Sequence, residues 1–393
     1  MDFIVGTFNY ETLYTLHFSP PTRTQPTASL SILRSSPAIG GHSWLTLSPT
    51  KEYLYTTAWT KPNPSIAAYK LRASGREIQF LNAKPVAALS GYVCTNGTHL
   101  FSVGGPSGEV FRLEKDGSIG ECVQNLDFVT GHGENVSENR NRDAPGAAHG
   151  SFGGLRHGAH SVDLSPDGRS LYVADIGRNA IFTYSVGKFN LRDLYDPPLK
   201  LGTKHISPRP NDGPRHSWPH PNGKVLYVLQ EHTSMVDVFA IAEDGVTLEH
   251  KQGVKIIPAE KEAKEYWADE VRLDQSGDAS RPKFMYASTR GLQASTKGYV
   301  AAFSLDEHGY LISETAIHIW ETPTSGGLAN AIEPAPPIKG QREDVQYLAM
   351  TDSEEGWVFM LSFDGKKIAE VARVSLGKTE EGEVVGAATA VWL

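Results

Sequence analysis

Apolar and polar residues alternate in short runs along the chain, and the runs come in pairs. Leu45-Thr46-Leu47-Ser48-Pro49 is followed by Tyr53-Leu54-Tyr55, and Val162-Asp163-Leu164-Ser165-Pro166-Asp167-Gly168 by Leu171-Tyr172-Val173. His220-Pro221-Asn222-Gly223 is followed in the same way by Val225-Leu226-Tyr227-Val228. Alternation with period two marks a strand, and Asp-Gly or Asn-Gly between apolar runs marks a tight hairpin, because both residues accept positive φ. Fainter copies pair Tyr92–Cys94 with Leu100–Val103, Val271–Leu273 with Phe284–Ala287, and Ala331–Pro334 with Val345–Met350. Helical periodicity is confined to turns near Ala259–Trp267.

The second strands centre near positions 55, 101, 172, 227, 286 and 348, and counting on past the C-terminus reaches Ile4. Seven steps close the count at about 56 residues each, the spacing of an all-β repeat that closes on itself. The pattern predicts a seven-bladed β-propeller whose last blade is shared by Phe3–Thr7 and Ala387–Trp392. Two β-sandwiches in tandem would use similar strands, but no Pro/Ser-rich linker divides the chain. Residues 1–393 are therefore expected to form a single propeller domain. One long step is accounted for by a Gly-, Asn- and His-rich surface insertion at about 131–154.

Composition narrows the function. With 37 basic and 45 acidic residues the net charge is −8, and no basic run carries interleaved aromatics, so nucleic acid is not an expected partner. No apolar stretch approaches a membrane span, and the start lacks the pattern of a secretory signal. Two cysteines, Cys94 and Cys122, make no disulfide framework and suit the cytoplasm.

Antiparallel pairing puts the start of each first strand beside the end of each second. His42, His160, Arg215, Asp269 and Asn330 should therefore share one mouth of the channel with Trp59, Asp175, Glu231, Arg290 and Asp352. Tight turns occupy the other rim. Two arginines in an acidic protein point to a small polycarboxylate gripped through its carboxylates, the competing reading for either arginine alone being an inter-blade ion pair. His160 is the natural proton carrier and Glu231 a second acid/base. His42 and Asn330 join the arginines as substrate-binding candidates. There is no nucleophile elbow or P-loop, and the spacing of His132, His149, His157 and His160 matches no common zinc pattern, so neither metal nor cofactor is expected. Trp44, Trp218 and Trp357 read as blade packing.

Thr322-Pro323-Thr324-Ser325-Gly326-Gly327, Asn330-Ala331, Met350-Thr351-Asp352 and Glu355-Gly356-Trp357 together resemble the fungal carboxy-cis,cis-muconate cyclases, a branch of the seven-bladed propeller lactonase family. Phe3–Thr7, Gly158-Ala159-His160, Asp212-Gly213-Pro214-Arg215 and Ala287-Ser288-Thr289-Arg290 are also similar. The likeness spans nearly the whole chain in patches. His216-Ser217-Trp218-Pro219 departs from it, and the insertion is poorly matched. The resemblance implies a site of His160, Glu231, Arg215 and Arg290, without a cofactor. It also implies a reversible conversion of 3-carboxy-cis,cis-muconate to its γ-lactone in aromatic catabolism, the β-ketoadipate pathway. Two other functions fit the same fold: a lactone hydrolase resembling 6-phosphogluconolactonase, and a non-catalytic binding platform.

Overall fold

The structure is a computed structural model that describes residues 1–128, 158–187, 198–275, 277–338 and 344–393. The expected insertion at 131–154, with His132 and His149, and His157 beside it lie outside these residues.

Numbered in chain order, strands β1–β28 form seven four-stranded antiparallel sheets, the blades of a propeller. The innermost strands are β4 (Leu45–Leu47), β8 (Tyr92–Thr95), β12 (Ala159–Leu164), β16 (Pro214–Pro219), β20 (Tyr266–Leu273), β24 (Ile332–Pro334) and β28 (Ala387–Trp392). Each contacts the next, and β28 contacts β4, so the sheets close a ring around a central channel. Within a blade the second strand is buried on both faces because neighbouring sheets cover it, and it is mainly apolar. β13 (Ser170–Asp175) and β17 (Val225–Gln230) are buried at every position. The fourth strands face solvent and alternate, as in β3 (Ser29–Pro37).

β1 (Asp2–Thr7) pairs with β28 in the register Phe3↔Trp392, Ile4↔Val391 and Val5↔Ala390, as the count of repeats predicts. The helical expectation near Ala259–Trp267 shrinks to one 3₁₀ turn at Ala263–Glu265, and Trp267 belongs to β20 opposite Arg290. The eight residues of β20 are all buried, and pairing along that length outweighs a weak local helical pattern. No helix among the described residues is long and apolar enough to cross a membrane.

The shared blade rests on an aromatic contact. Phe3, fully buried, packs against Trp392 with ring centroids 4.6 Å apart. Phe3→Ala is expected to lower unfolding free energy by about 3–5 kcal/mol, the range for emptying a buried phenylalanine site. Urea denaturation measures this, and a loss below about 1 kcal/mol would show that the closure does not depend on this contact.

Candidate active site

The residues at the predicted mouth are aimed by a repeated irregularity. In β12 Ala159 pairs with Asp175 and Ser161 with Ala174, so His160 is an extra residue. In β16 the extra residue is Arg215, between Pro214↔Gln230 and His216↔Leu229. In β20 it is Asp269, between Ala268↔Thr289 and Glu270↔Ser288. A bulge leaves its residue unpaired and bends the strand, which redirects the side chain. Three adjacent blades thus turn His160, Arg215 and Asp269 into one cavity. The start of β12 is also fixed from the side by the inter-blade bridge Gly105↔Ala159. A Cβ on Gly158 would lie 2.0 Å from the Gly105 carbonyl oxygen, so only glycine allows that approach.

The cavity is lined by His160, Arg215, Glu231, Asp269 and Arg290 together with Trp44, Trp59 and His216. Arg215 is its hub. Its Nη1 donates to His160 Nε2 at 2.8 Å and to Glu231 Oε2 at 3.2 Å, and its Nη2 donates to Asp269 Oδ1 at 2.8 Å. Its Nε donates to the Asp269 carbonyl at 3.1 Å. Arg290 donates to the Gly327 carbonyl at 3.0 Å and lies 4.0 Å from Glu231 and 3.7 Å from Asp269, with its guanidinium 4.9 Å from the centre of the Trp267 ring.

Electrostatics assign protonation states. Burial pushes Glu231 up, but Arg215, Arg290 and His232 outweigh it and hold the carboxyl below its ordinary range, so it is ionised. Burial, reinforced by Arg215, His216 and Arg290, drives His160 well below its usual range, so it is neutral. Because a guanidinium only donates, His160 Nε2 is an acceptor and Nδ1 carries the ring proton.

Of the ten residues expected at this mouth, Trp59, His160, Arg215, Glu231, Asp269 and Arg290 line the cavity. The other four do not. His42 is fully buried, with Nδ1 2.7 Å from the Thr57 carbonyl and Nε2 2.7 Å from the Tyr69 hydroxyl, and burial lowers it to about 4. Asn330 is buried behind the wall, where its backbone N–H donates to Asp269 Oδ2 at 2.9 Å and its side chain to the Thr289 carbonyl. Asp175 clamps Arg178, and Asp352 accepts backbone N–H groups of Glu354 and Glu355 in a turn.

Below the cavity floor the channel opens into a funnel of about 550 Å³ at the opposite mouth, lined among others by Asp163, Glu270, Arg272, Glu333, Trp44 and Trp218. Trp44 and Trp218 therefore stand in the channel, with the Arg272 guanidinium 5.3 Å and 4.1 Å from their ring centres. Asp163 accepts from the Tyr92 and Ser217 hydroxyls, and Arg272 pairs with Glu270 and Glu333. His216, invisible to the sequence reading as a site residue, spans the two chambers: it lines the cavity and its Nδ1 lies 3.0 Å from Glu270.

The closed ring of seven blades defines a β-propeller, and comparison with known proteins gives its family. Residues 2–323 match the family described as Lactonase, 7-bladed beta-propeller, and the chain belongs to that family. It is 40% identical over 396 residues to muconate cycloisomerase 1 of Cutaneotrichosporon cutaneum, covering 100% of this chain and 98% of that protein. It is 28% identical over 277 residues to the carboxy-cis,cis-muconate cyclase of Neurospora crassa, covering 68% of this chain and 63% of that one. The periplasmic gluconolactonase of Pseudomonas aeruginosa shares the fold, with a TM-score of 0.72 over 99% of this chain and 98% of that one at 18% identity.

Two predictions follow from the buried charges. Asp269→Ala leaves Arg215 short of a carboxylate inside the protein and is expected to cost about 3–5 kcal/mol of stability by chemical denaturation; a value near zero would mean the pair is not closed. Burial raises Asp163 to about 7 from an unfolded value of 3.8. The folded state then holds an extra proton between those values, so this group's stabilisation is present below pH 3.8 and is lost as pH rises through about 7. Stability measured against pH for Asp163→Asn should lack that decline relative to the unaltered protein, and identical slopes would remove the assignment.

Proposed function

We propose that the protein is a cycloisomerase that interconverts 3-carboxy-cis,cis-muconate and its γ-lactone in the cytoplasm, acting on the free polycarboxylate. The observation that carries this reading is the convergence of His160, Glu231, Arg215 and Arg290 on one cavity. The relatives named for muconate cyclisation support it.

The reaction joins a carboxylate oxygen to a conjugated double bond while a proton reaches the carbon α to another carboxylate. Negative charge grows on that second carboxylate as an enolate-like dianion. Fixed, buried cations stabilise such charge by several kcal/mol, and no oxidant or reductant is involved. In this reading Arg290 and Arg215 hold the carboxylates, and Glu231 fixes the arginines. His160 handles the carbon proton, since a bound carboxylate offers Arg215 Nη1 a new acceptor and frees His160 Nε2.

The purified protein mixed with 3-carboxymuconate should bleach the diene absorbance, with chelator present. Acid release from 6-phosphogluconolactone, without bleaching, would transfer the assignment to the hydrolase named among more distant relatives, such as the 6-phosphogluconolactonase of an Enterobacter strain at 24% identity. Arg290→Ala is expected to lower kcat by about 10²–10³-fold together with affinity, because the charge it meets grows in the transition state. A change in KM alone would remove that role.

A further inference from the structure

Lactonisation of a tricarboxylate consumes one proton per turnover, because a C–H bond forms as a carboxylate becomes an ester. With substrate filling the mouth, that proton needs another way in.

The hydrogen-bond directions along the channel are set by the donors at its ends. Arg215 donates to His160 Nε2, so His160 presents Nδ1–H. Glu270 Oε1 already accepts from the Arg272 guanidinium and the Val271 N–H, so His216 Nδ1 donates to it and His216 Nε2 is bare. The two rings lie 5.1 Å apart between centroids. His216 Nε2 is buried and without a hydrogen-bond partner among the described residues, and the buried His160 Nδ1 has only its own backbone beside it, with no bond to another described residue. One is an acceptor and the other a donor, on adjacent tilted rings. Glu270 ends the series in the wall of the opposite funnel.

We infer that His160, His216 and Glu270 form a proton relay along the channel, exchanging the substrate-carbon proton with water in the opposite funnel. The inference rests on the cycloisomerase reading. In the lactone-opening direction the carbon proton passes to His160 Nε2, the His160 Nδ1 proton to His216 Nε2, and the His216 Nδ1 proton to the Glu270 carboxylate. The C–H bond breaks, the ring C–O bond breaks, both imidazoles end neutral, and Glu270 releases its proton to water. Lactonisation is the reverse, starting from protonated Glu270 with both rings protonated at Nε2; it leaves both rings protonated at Nδ1, and rotation of each ring with reprotonation of Glu270 from water restores the starting state.

Neutral hand-over suits the surroundings. Burial, then the charge of Arg215, keeps both imidazoles well below their usual range, so neither stores a proton as a cation. Glu270 is raised by burial to about 8, with Arg272 and Arg215 opposing and Asp269 adding to the rise. The charged or titratable groups facing it are Asp269 and Arg272 on its own strand, Arg215 and His216 on β16, Asp163 on β12, Tyr92 on β8 and Glu333 on β24.

Nitrogen NMR of the imidazoles in the full-length protein tests the arrangement without turnover. His216 is expected protonated at Nδ1, with a shift that follows an ionisation near pH 8 and loses that step in Glu270→Gln. An Nε2–H form at all pH, or an unchanged step in the variant, overturns the relay. In the diene assay, His216→Gln is expected to lower kcat about 100-fold with KM within about twofold, and small imidazole buffers should restore part of the rate. Glu270→Gln should remove the ionisation near pH 8 from the kcat profile. Unaltered kcat and pH profile in both variants overturn the relay. Absence of any turnover by the unaltered protein would instead sink the cycloisomerase reading, and the NMR arm still decides whether His216 and Glu270 share a proton.

Discussion

The guanidinium of Arg215 is the contact on which the rest of the channel depends. It donates to a histidine of one blade, a glutamate of its own blade, and both the carboxylate and the backbone carbonyl of an aspartate on the next. Each acceptor fixes something further. Asp269 is held in turn by the Asn330 backbone, and Glu231 lies within ion-pair distance of Arg290. Three blades are thereby locked at one height, and a single cation sets the tautomer of His160 as well as its position.

Buried ion pairs of this kind add little net stability, because desolvation offsets much of the Coulomb attraction. Their contribution is geometric. Arg215 and Arg290 balance Glu231 and Asp269, so the cavity can be dry without an uncompensated charge. The polycarboxylate proposed as substrate would compete with protein carboxylates for the same N–H groups. The selectivity proposed for the site has that physical basis.

Much of the architecture was legible because a propeller writes its repeat in the sequence: alternating first strands, apolar second strands, and Asp-Gly or Asn-Gly between them. The closing pair β1–β28 followed from counting alone. The mouth was legible for the same reason, since antiparallel pairing fixes which strand ends meet. What failed was side-chain direction. His42 and Asn330 occupy equivalent positions to His160, yet Tyr69 and the Thr289 carbonyl take up their polar atoms behind the wall. His216 and Glu270 failed for the opposite reason. Each directly follows a residue already assigned to the channel, and strict alternation sends such a neighbour into the interface between blades. The bulges at Arg215 and Asp269 undo that rule, so Arg215 and His216 both reach the channel, as do Asp269 and Glu270. A bulge has no signature in residue type here, and only the one-residue mismatch between paired strands shows it.

The bulges also separate what the scaffold conserves from what it can vary. In the blades of β12, β16 and β20 the second and third strands pair without interruption, so the bulge beside the axis does not carry into that pairing. Adding or removing one residue there exchanges which side chains face the channel while the remaining strands of that blade keep their partners. Chemistry in such a ring can therefore be rewritten one sector at a time, and a new activity need not wait for a new fold.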